Sequence, residues 1–535
     1  MSPSGPIDPA TSAPVALRGR IVTMDSGGTV LPDGVLYAKD GSIVAVNPAS
    51  EPAPAGFEDV AVSATGATLF PGLIELHNHL PYDVLSLWQV PAAYTNRDQW
   101  AARPEYRRLI TGPMKAIAAQ GQLPFAIIRF VEVRCLLGGT TTSQGFTLAA
   151  DTGIISHFKG LVRNVENAGD PDLPNAATHI ADVEAKDWAS FKARISRGQK
   201  MILHLAEGID TPAHTHFAAL HGPDGTWAIT KDLVGIHCVG LKPADFAVFA
   251  NHGGSMVWSP FSNLLLYGQT ADLAAAFEAK VPVALGSDWS PSGSKNLLGE
   301  LKVARLAAPL SGAAVSDEQL VAMATTTPAR MLGWSDHLGS LEVGKRADAM
   351  VVSGAAGDPH TALVDATEAD VELVVINGVP RAGTPALMGA LGLAGGETVQ
   401  VGGRPRVLNL AQTGADPGVA ALSVAEAQSL LSGALGALGG TTKSGLATVA
   451  PGTTRLAVEG LVDNGMVSRH HLPYQGKPTG PDLPGRGLAA PTPVPLSPLT
   501  LEPLTAVDNP AFYETIAAEQ NLPPAVRDGL AKFKP

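Results

Sequence analysis

Eight short β-rich runs, separated by helical patterns, occupy residues 71–335 and constrain the fold more than any other feature of this chain. Parallel strands need long crossover connections, usually helices, so the alternation predicts an α/β fold, a closed (β/α)8 TIM barrel of about 250 residues. The predicted strands are LIELHNH (73–79), GTTTSQG (139–145), GLVRNVE (160–166), AATHIAD (176–182), KMILHLA (200–206), LVGIHCV (233–239), GSMVWSP (254–260) and VPVALGSD (281–288).

Further β-rich segments lie on both sides of this barrel. Before it, Asp40-Gly41 joins two short runs as a hairpin turn, and after it VELVVING ends in Asn377-Gly378. We therefore expect one small β-sandwich domain built from both ends. The predicted division is residues 1–70 for its first part, 71–335 for the barrel, 336–385 for its second part, and 386–535 for a partly helical, Pro-rich C-terminal extension.

The composition excludes several classes of protein. The 535 residues are 45% hydrophobic and 16% charged, as in a folded chain with a large core. A net charge of −12 argues against nucleic-acid and membrane partners. Two cysteines, Cys135 and Cys238, cannot form a disulfide framework. With no signal-peptide pattern and no apolar run of about 18 residues, we expect a cytoplasmic protein; whether it forms a homo-oligomer is left open.

Polar residues gather at the carboxyl ends of the predicted strands. His77 and His79 are two residues apart, so their side chains share one face of the first strand. Taken alone, the pair is either half of a metal site or two histidines packed in the core. His204, His237 and Asp288 end the fifth, sixth and eighth strands. All five therefore reach the rim where barrel enzymes keep their sites. Three imidazoles and a carboxylate suit one divalent ion, zinc first, with iron or manganese as alternatives, and such an ion activates water.

Glu207 needs a special backbone path to join this group. Strict alternation along the fifth strand points Glu207 away from His204. The carboxylate reaches the centre only if the strand has ended and the chain turns over the rim, a turn that Gly208 favours.

Residues 81–130 are too long for an ordinary connection between a barrel strand and its helix. This insert is expected to cover the site, with packing on the outside of the barrel as the alternative. Its aromatic residues are Tyr82, Trp88, Tyr94, Trp100 and Tyr106.

Other candidate side chains have simpler interpretations. His214 and His216 are placed on a helix at the surface, since residues two apart on a helix do not share a face. Cys238 is interpreted as core and His470-His471 as solvated, while His179 is a candidate substrate contact.

Five motifs in this order resemble the single-metal branch of the metal-dependent amidohydrolase superfamily, which includes cytosine, guanine and S-adenosylhomocysteine deaminases and triazine hydrolases. The motifs are PGLIELHNH, HLAEG, GIHCVGL, WSPFSNLLLYG and LGSDWSPSGSKNLLGEL. The resemblance spans about residues 17–385 and includes ATTTPARMLGWSDHLGSLEVGKRADAMVV, which is similar to that branch's link into its β domain.

The resemblance implies roles for six residues. His77, His79, His204 and Asp288 would bind the metal. Catalytic Glu207, His237 and Asp288 would handle the protons of the metal-activated water. AATHIADV lacks the bridging lysine of the two-metal branch, so one metal ion is expected. Trp258-Ser259 and Trp289 depart from the common pattern and enlarge the apolar surface near the pocket.

The sequence therefore predicts a hydrolase that attacks a non-peptide C–N bond of a small molecule with a metal-activated water. Deamination of an amino-substituted heterocycle is the favoured reaction. Amide, urea or carbon–halogen hydrolysis on the same site is one alternative. A catalytically silent binding scaffold is another.

Overall fold

A computed structural model of the chain describes residues 13–118, 120–145, 160–179, 183–412, 416–439 and 495–534. Within these ranges the chain forms the predicted α/β barrel, a β domain beside it, and a C-terminal extension that packs on the barrel. Among the described helices, none is long and apolar enough to cross a bilayer.

The barrel strands lie where the sequence places them, although each is shorter than its predicted run. They are β5 Leu73–Glu75, β6 Thr140–Ser143, β7 Arg163–Asn164, β8 Ala177–His179, β9 Met201–Leu205, β10 Leu233–His237, β11 Ser255–Trp258 and β12 Val283–Leu285. Every pairing between them is parallel, in the ladders β5-β6-β7 and β8-β9-β10-β11-β12.

Backbone hydrogen bonds connect the two ladders into a closed barrel. On one side, the Ala176 N–H donates to the Val165 carbonyl at 2.9 Å. On the other side, Asn78 and Asp288 form a parallel bridge, and the Asp288 N–H donates to His77 O at 3.0 Å. Closure therefore places the carboxyl ends of the first and eighth strands next to each other, at the rim predicted to carry the site.

One nine-stranded sheet forms the β domain from segments on both sides of the barrel. Its order is β16-β17-β15-β14-β13-β4-β1-β2-β3. The strands are β1 Val15–Val22, β2 Val30–Lys39, β3 Ser42–Pro48, β4 Val62–Pro71, β13 Ala349–Val352, β14 Val371–Ile376, β15 Val379–Gly383, β16 Glu397–Val401 and β17 Arg404–Leu408. The predicted hairpin turns have the expected left-handed backbone, with φ of 51° at Asp40 and 48° at Asn377.

Two strands of this sheet come from beyond residue 385. β16 and β17 pair around Gly402-Gly403, and β17 joins the sheet edge at β15. The division of the chain at residues 70, 335 and 385 stays a prediction. Because β16 and β17 belong to this sheet, we place the end of the β domain at the end of β17, not at residue 385.

Helices fill the connections between the barrel strands and make up most of the extension. The insert after the first barrel strand contributes Arg97–Ala101, Pro104–Tyr106, Gly112–Ala118 and Leu123–Leu137. Later helices of the barrel and β domain are Trp188–Ile195, Thr211–Ala218, Pro243–Asn251, Pro260–Tyr267, Leu273–Glu278, Leu297–Ala307, Asp317–Met323, Thr326–Leu332, Pro359–Asp365 and Pro385–Ala390. The extension adds Pro417–Ala420, Val424–Gly436, Pro510–Ala518 and Pro524–Leu530.

The extension packs on the barrel along its described parts. Helix Val424–Gly436 lies against helix Leu123–Leu137 and buries Leu431 and Leu435 completely. The Arg129 guanidinium of the barrel helix donates to two carbonyls of the extension, those of Val419 at 2.9 Å and Leu422 at 3.0 Å. Burying a leucine side chain stabilises by about 1.5–3 kcal/mol relative to exposing it. This part of the extension is therefore packed on the barrel and is not a free linker.

We expect limited proteolysis to leave the extension attached to the barrel. A cut between residues 440 and 494 should leave the fragment containing 495–534 bound, because Phe512, Ile516 and Leu530 are buried against the body. Native mass spectrometry of the digest measures this. Rapid trimming to a stable body ending near residue 385, with an unchanged melting temperature, would contradict it.

Candidate metal centre and its aromatic cover

Each residue of the predicted centre lies at the carboxyl end of a barrel strand or just beyond it. His77 and His79 lie just beyond β5, His204 is in β9, and His237 is the last residue of β10. Asp288 follows β12. The structure therefore brings these five residues to one rim. The side chains of His77, His204, His237 and Asp288, and of Glu207 beside them, are each no more than 4% exposed.

The backbone is left-handed at several of these strand ends. Non-glycine residues with positive φ include Ala206 at 50°, His237 at 66° and Asp288 at 62°. Such a conformation costs of order 1–3 kcal/mol per residue and persists where the surroundings enforce it. At Ala206 the reversal, followed by Gly208 at φ 146°, ends β9 and turns Glu207 inward. The chain therefore turns over the rim as predicted.

The side chains form one compact group of nitrogen and oxygen atoms. His77 belongs to two overlapping sets, one with His204 and His237 and one with His79 and Asp288, and the candidate ligand atoms of each set lie within 4.8 Å of one another. The His77 ring centroid is 4.8 Å from that of His204 and 4.9 Å from that of His237. Asp288 Oδ1 lies 3.1 Å from His77 Nε2 and 3.5 Å from His79 Nε2.

These donors fit a divalent metal ion. Among the described residues, no hydrogen-bond partner reaches the buried Nδ1 atoms of His77, His79 and His204, while the buried Nε2 of His77 faces Asp288 Oδ1 at 3.1 Å. Burial lowers the pKa of His79 to about 3 and that of His204 well below its ordinary value. The rings of His79 and His204 are therefore neutral at pH 7, which is the form that binds metals.

Asp288 supplies the negative charge of the group. Burial alone would raise its pKa, but the neighbouring histidines, His77 foremost, lower it below the ordinary value. The Ser262 hydroxyl donates to Asp288 Oδ2 at 2.7 Å and so orients the carboxylate. The opposite oxygen, Oδ1, faces His77 and His79.

Glu207 and His237 form a second pair beside this group. Glu207 Oε2 lies 3.8 Å from His237 Nε2, while its Oε1 accepts a hydrogen bond from the Tyr267 hydroxyl at 2.7 Å. Burial raises the pKa of Glu207, against the lowering influence of His237 and Arg97. His237 Nδ1 lies 2.9 Å from Asn263 Oδ1, an acceptor that fixes the proton on Nδ1 and leaves Nε2 as the base.

Sequence reasoning did not predict the supporting residues Ser262, Asn263 and Tyr267. All three project from helix Pro260–Tyr267, directly after β11. Their signal was present, because positions 263 and 267 are one helical turn apart and so share a face. The motif WSPFSNLLLYG contains all three residues, but the sequence does not show which side chains they contact.

The aromatic insert covers this centre. The Trp289 ring lies 5.2 Å from the His79 ring and contacts three rings of the insert, those of Tyr82, Trp100 and Tyr106. The Trp100 indole N–H donates to the Tyr267 hydroxyl at 2.9 Å. The insert therefore reaches the side chain that hydrogen-bonds Glu207, and it does not pack only on the outside.

The insert also brings a cation that was not predicted. Arg97 begins a short helix of the insert and is buried. The Arg97 guanidinium lies 3.7 Å from Glu207 Oε2. The backbone N–H of Arg97 donates to the backbone carbonyl of Glu207 at 3.2 Å. Arg97 therefore fixes the turn that carries Glu207.

The other described candidates, His214, Cys238 and His179, belong to neither ligand set. His214 is on helix Thr211–Ala218, half-buried, and its Nε2 lies 2.8 Å from Asp245 Oδ2. Cys238 is fully buried, as expected for a core thiol. His179 ends β8, half-buried, and that strand carries no lysine. His470-His471 lie outside the described residues.

Comparison with known proteins identifies the family. The Amidohydrolase family profile matches residues 68–381, more than half of the chain. A 5-methylthioadenosine/S-adenosylhomocysteine deaminase of Desulforudis audaxviator is 25% identical over 395 residues, which cover 64% of this chain and 88% of the relative. An S-triazine hydrolase of Gordonia rubripertincta is 33% identical over 167 residues, 30% of this chain and 34% of the relative.

Solved structures show the same fold. An adenosine deaminase from Xanthomonas campestris, with bound zinc, has a TM-score of 0.54 at 21% identity and covers 70% of this chain and 94% of its own. The family match covers the barrel strands and every residue of the buried centre. The chain belongs to the Amidohydrolase family and is a hydrolase of carbon–nitrogen bonds other than peptide bonds.

Proposed function

We propose that this enzyme deaminates an amino-substituted heterocycle with the help of one divalent ion, zinc in the first instance. The observation that carries the proposal is the buried group of four imidazoles and one carboxylate, in which the Nδ1 atoms of His77, His79 and His204 have no hydrogen-bond partner among the described residues. A deaminase of adenosine derivatives and a triazine hydrolase among the relatives, and zinc in a structure of the same fold, support it.

His77, His79, His204 and Asp288 would hold the ion. When bound, it supplies Lewis acidity, which makes water a competent nucleophile near neutral pH. Asp288 and His237 accept protons during the attack, because an ionised carboxylate and a neutral imidazole with Nε2 as its base both have lone pairs to offer. Since β8 carries no lysine, the proposal holds to one ion per chain.

Glu207 donates a proton to a ring nitrogen of the substrate. Its Oε1 is held by the Tyr267 hydroxyl, so Oε2 is the oxygen that faces the centre. A raised pKa favours the protonated acid that this donation needs. The carbon next to the protonated nitrogen becomes electrophilic and forms a bond to oxygen. Glu207, now ionised, accepts the hydroxyl proton of the adduct and delivers it to the amino nitrogen, so that the C–N bond breaks and ammonia leaves. The other proton of the water, held by Asp288 or His237, restores the acid form of Glu207, and one water is consumed per turnover.

The aromatic cover supports a flat substrate. Trp289 is a rigid apolar surface next to His79, and Trp100 lies against Trp289. An aromatic ring stacks on such a surface at a gain of about 0.5–1.5 kcal/mol beyond its buried area. The proposed setting is the cytoplasm, since Cys135 and Cys238 are both buried free thiols.

A panel of small molecules tests this proposal, read by mass spectrometry on protein whose metal content has been measured. The panel contains aminopurines, aminopyrimidines, amino- and chlorotriazines, amides and ureas. We expect one ammonia released per product, and one oxygen in the product from isotopically labelled water. Release of chloride or an alkylamine instead would favour the alternative leaving groups. No turnover by fully metal-loaded protein would favour a silent scaffold.

A further inference from the structure

The C-terminal extension reaches three elements that carry the candidate site. We infer that residues 499–521, which we call the C-terminal brace, act as a positioning segment for the site. The elements are the segment 80–94 that follows His79, helix Pro260–Tyr267, and the loop 288–296 that begins with Asp288. The positioning role rests on the proposed function, whereas the physical coupling of the brace to these elements does not.

Glu502 connects the brace to two of the three elements. Its N–H donates to the Val84 carbonyl at 3.1 Å, in the short 3-10 helix that starts directly after His79. Its carboxylate Oε1 lies 2.7 Å from Lys295 Nζ, and both side chains are buried. Asn509 Nδ2 donates to the same oxygen at 2.7 Å and holds the carboxylate in place.

Lys295 transmits this contact along the loop of Asp288. Its Nζ donates to the Ser290 carbonyl at 3.0 Å, and it lies over the Phe512 ring of the brace at 4.8 Å. Lys295 has a φ of 80°, a costly backbone that its buried partners enforce. The ion pair with Glu502 therefore stabilises the turn between Ser290 and Lys295, which directly follows Trp289.

Arg134, on helix Leu123–Leu137, joins the brace to the same two elements that Glu502 contacts. Its guanidinium donates to Asp83 O at 2.9 Å, to Pro503 O at 3.1 Å and to Ser290 Oγ at 3.1 Å. The Ser290 N–H in turn donates to Asp83 Oδ1 at 2.7 Å. The brace thus completes a buried polar network whose other members flank His79 and Asp288.

Two further contacts reach the aromatic insert and the helix that supports Glu207. Glu519 Oε1 accepts a hydrogen bond from the Val90 N–H at 3.0 Å, between Trp88 and Tyr94 of the insert. Asn521 Nδ2 donates to Leu265 O at 2.9 Å, on the helix that carries Tyr267. Both contacts are made by residues of the extension, so the insert and this helix are each tied to it.

Hydrogen–deuterium exchange on the full-length protein tests the brace. Glu502→Gln keeps the size of the side chain and removes its charge, so we expect about tenfold faster exchange in peptides covering 80–90 and 288–296, the scale of a lost charge-assisted hydrogen bond. Asn521→Ala should accelerate only the peptide covering 260–268. The control Glu514→Gln, on an exposed carboxylate of the same segment, should change none of them.

A second readout separates positioning from simple stability. Release of the bound metal to a chelator should be about tenfold faster in Glu502→Gln, because Asp288 and His79 adjoin the loosened segments. Unchanged exchange at 80–90 and 288–296 would overturn the brace. Faster exchange there with unchanged metal release would overturn its positioning role. If Glu502→Gln does not fold, the exchange pattern of Asn521→Ala tests whether the brace is coupled to the site elements. The rate of metal release from Asn521→Ala then tests the positioning role.

Discussion

Glu207→Gln should fold, bind metal normally and lose about 10²-fold or more in turnover, the usual scale of general acid–base catalysis. Glutamine keeps the size of the side chain and can still accept the Tyr267 hydrogen bond, but it cannot donate and recover a proton. Steady-state kinetics together with metal analysis measure both properties.

The matched control for this prediction is Glu278→Gln, an exposed carboxylate on a barrel helix. It should retain native turnover. Near-native activity in Glu207→Gln would mean that Glu207 is only a structural partner of Tyr267 and Arg97. Loss of metal from the Glu207→Gln protein would make Glu207 a ligand, which the proposed roles do not allow.

His77→Ala should strip both metal and activity from the enzyme. His77 is the one residue shared by the two ligand sets of the buried group, and its ring lies about equally far from those of His79, His204 and His237. Alanine removes two buried ring nitrogens, of which Nδ1 has no hydrogen-bond partner among the described residues and Nε2 faces Asp288 Oδ1 at 3.1 Å. Elemental analysis of the purified variant should find no stoichiometric metal, and turnover should fall to background.

His252→Ala is the matched control, because His252 is exposed at the end of helix Pro243–Asn251. That variant should keep its metal and its activity. A folded His77→Ala protein with a full complement of metal would show that the site does not use the first barrel strand, and the ligand set would have to be reassigned.

The positions of the barrel strands could be predicted from sequence because a parallel barrel leaves little freedom. Each strand must be separated by a crossover, and its carboxyl end must reach the same rim. His77, His204, His237 and Asp288 therefore had to converge once their strands were recognised. Glu207 also followed from local chemistry, since only a chain reversal before Gly208 could turn it inward.

Contacts between segments far apart in the chain could not be predicted. No local pattern shows that Glu502 will meet Lys295, or that Trp289 will lie against rings of the insert, because side-chain partners depend on the final packing. β16 and β17 are a different case. Gly402-Gly403 between two β-rich runs is a hairpin signal. The local sequence does not show which sheet the hairpin joins, so the prediction places these strands in the extension and not in the β domain.

The metal content of the native chain tests the central claim most directly. The full-length protein, purified without chelators and analysed for all transition metals, should carry one divalent ion per chain, zinc when zinc is supplied. We predict that number because the four proposed ligands lie in one buried group and β8 carries no lysine to bridge a second ion. Two ions per chain, or none after growth and purification with zinc present, would contradict the single-metal account.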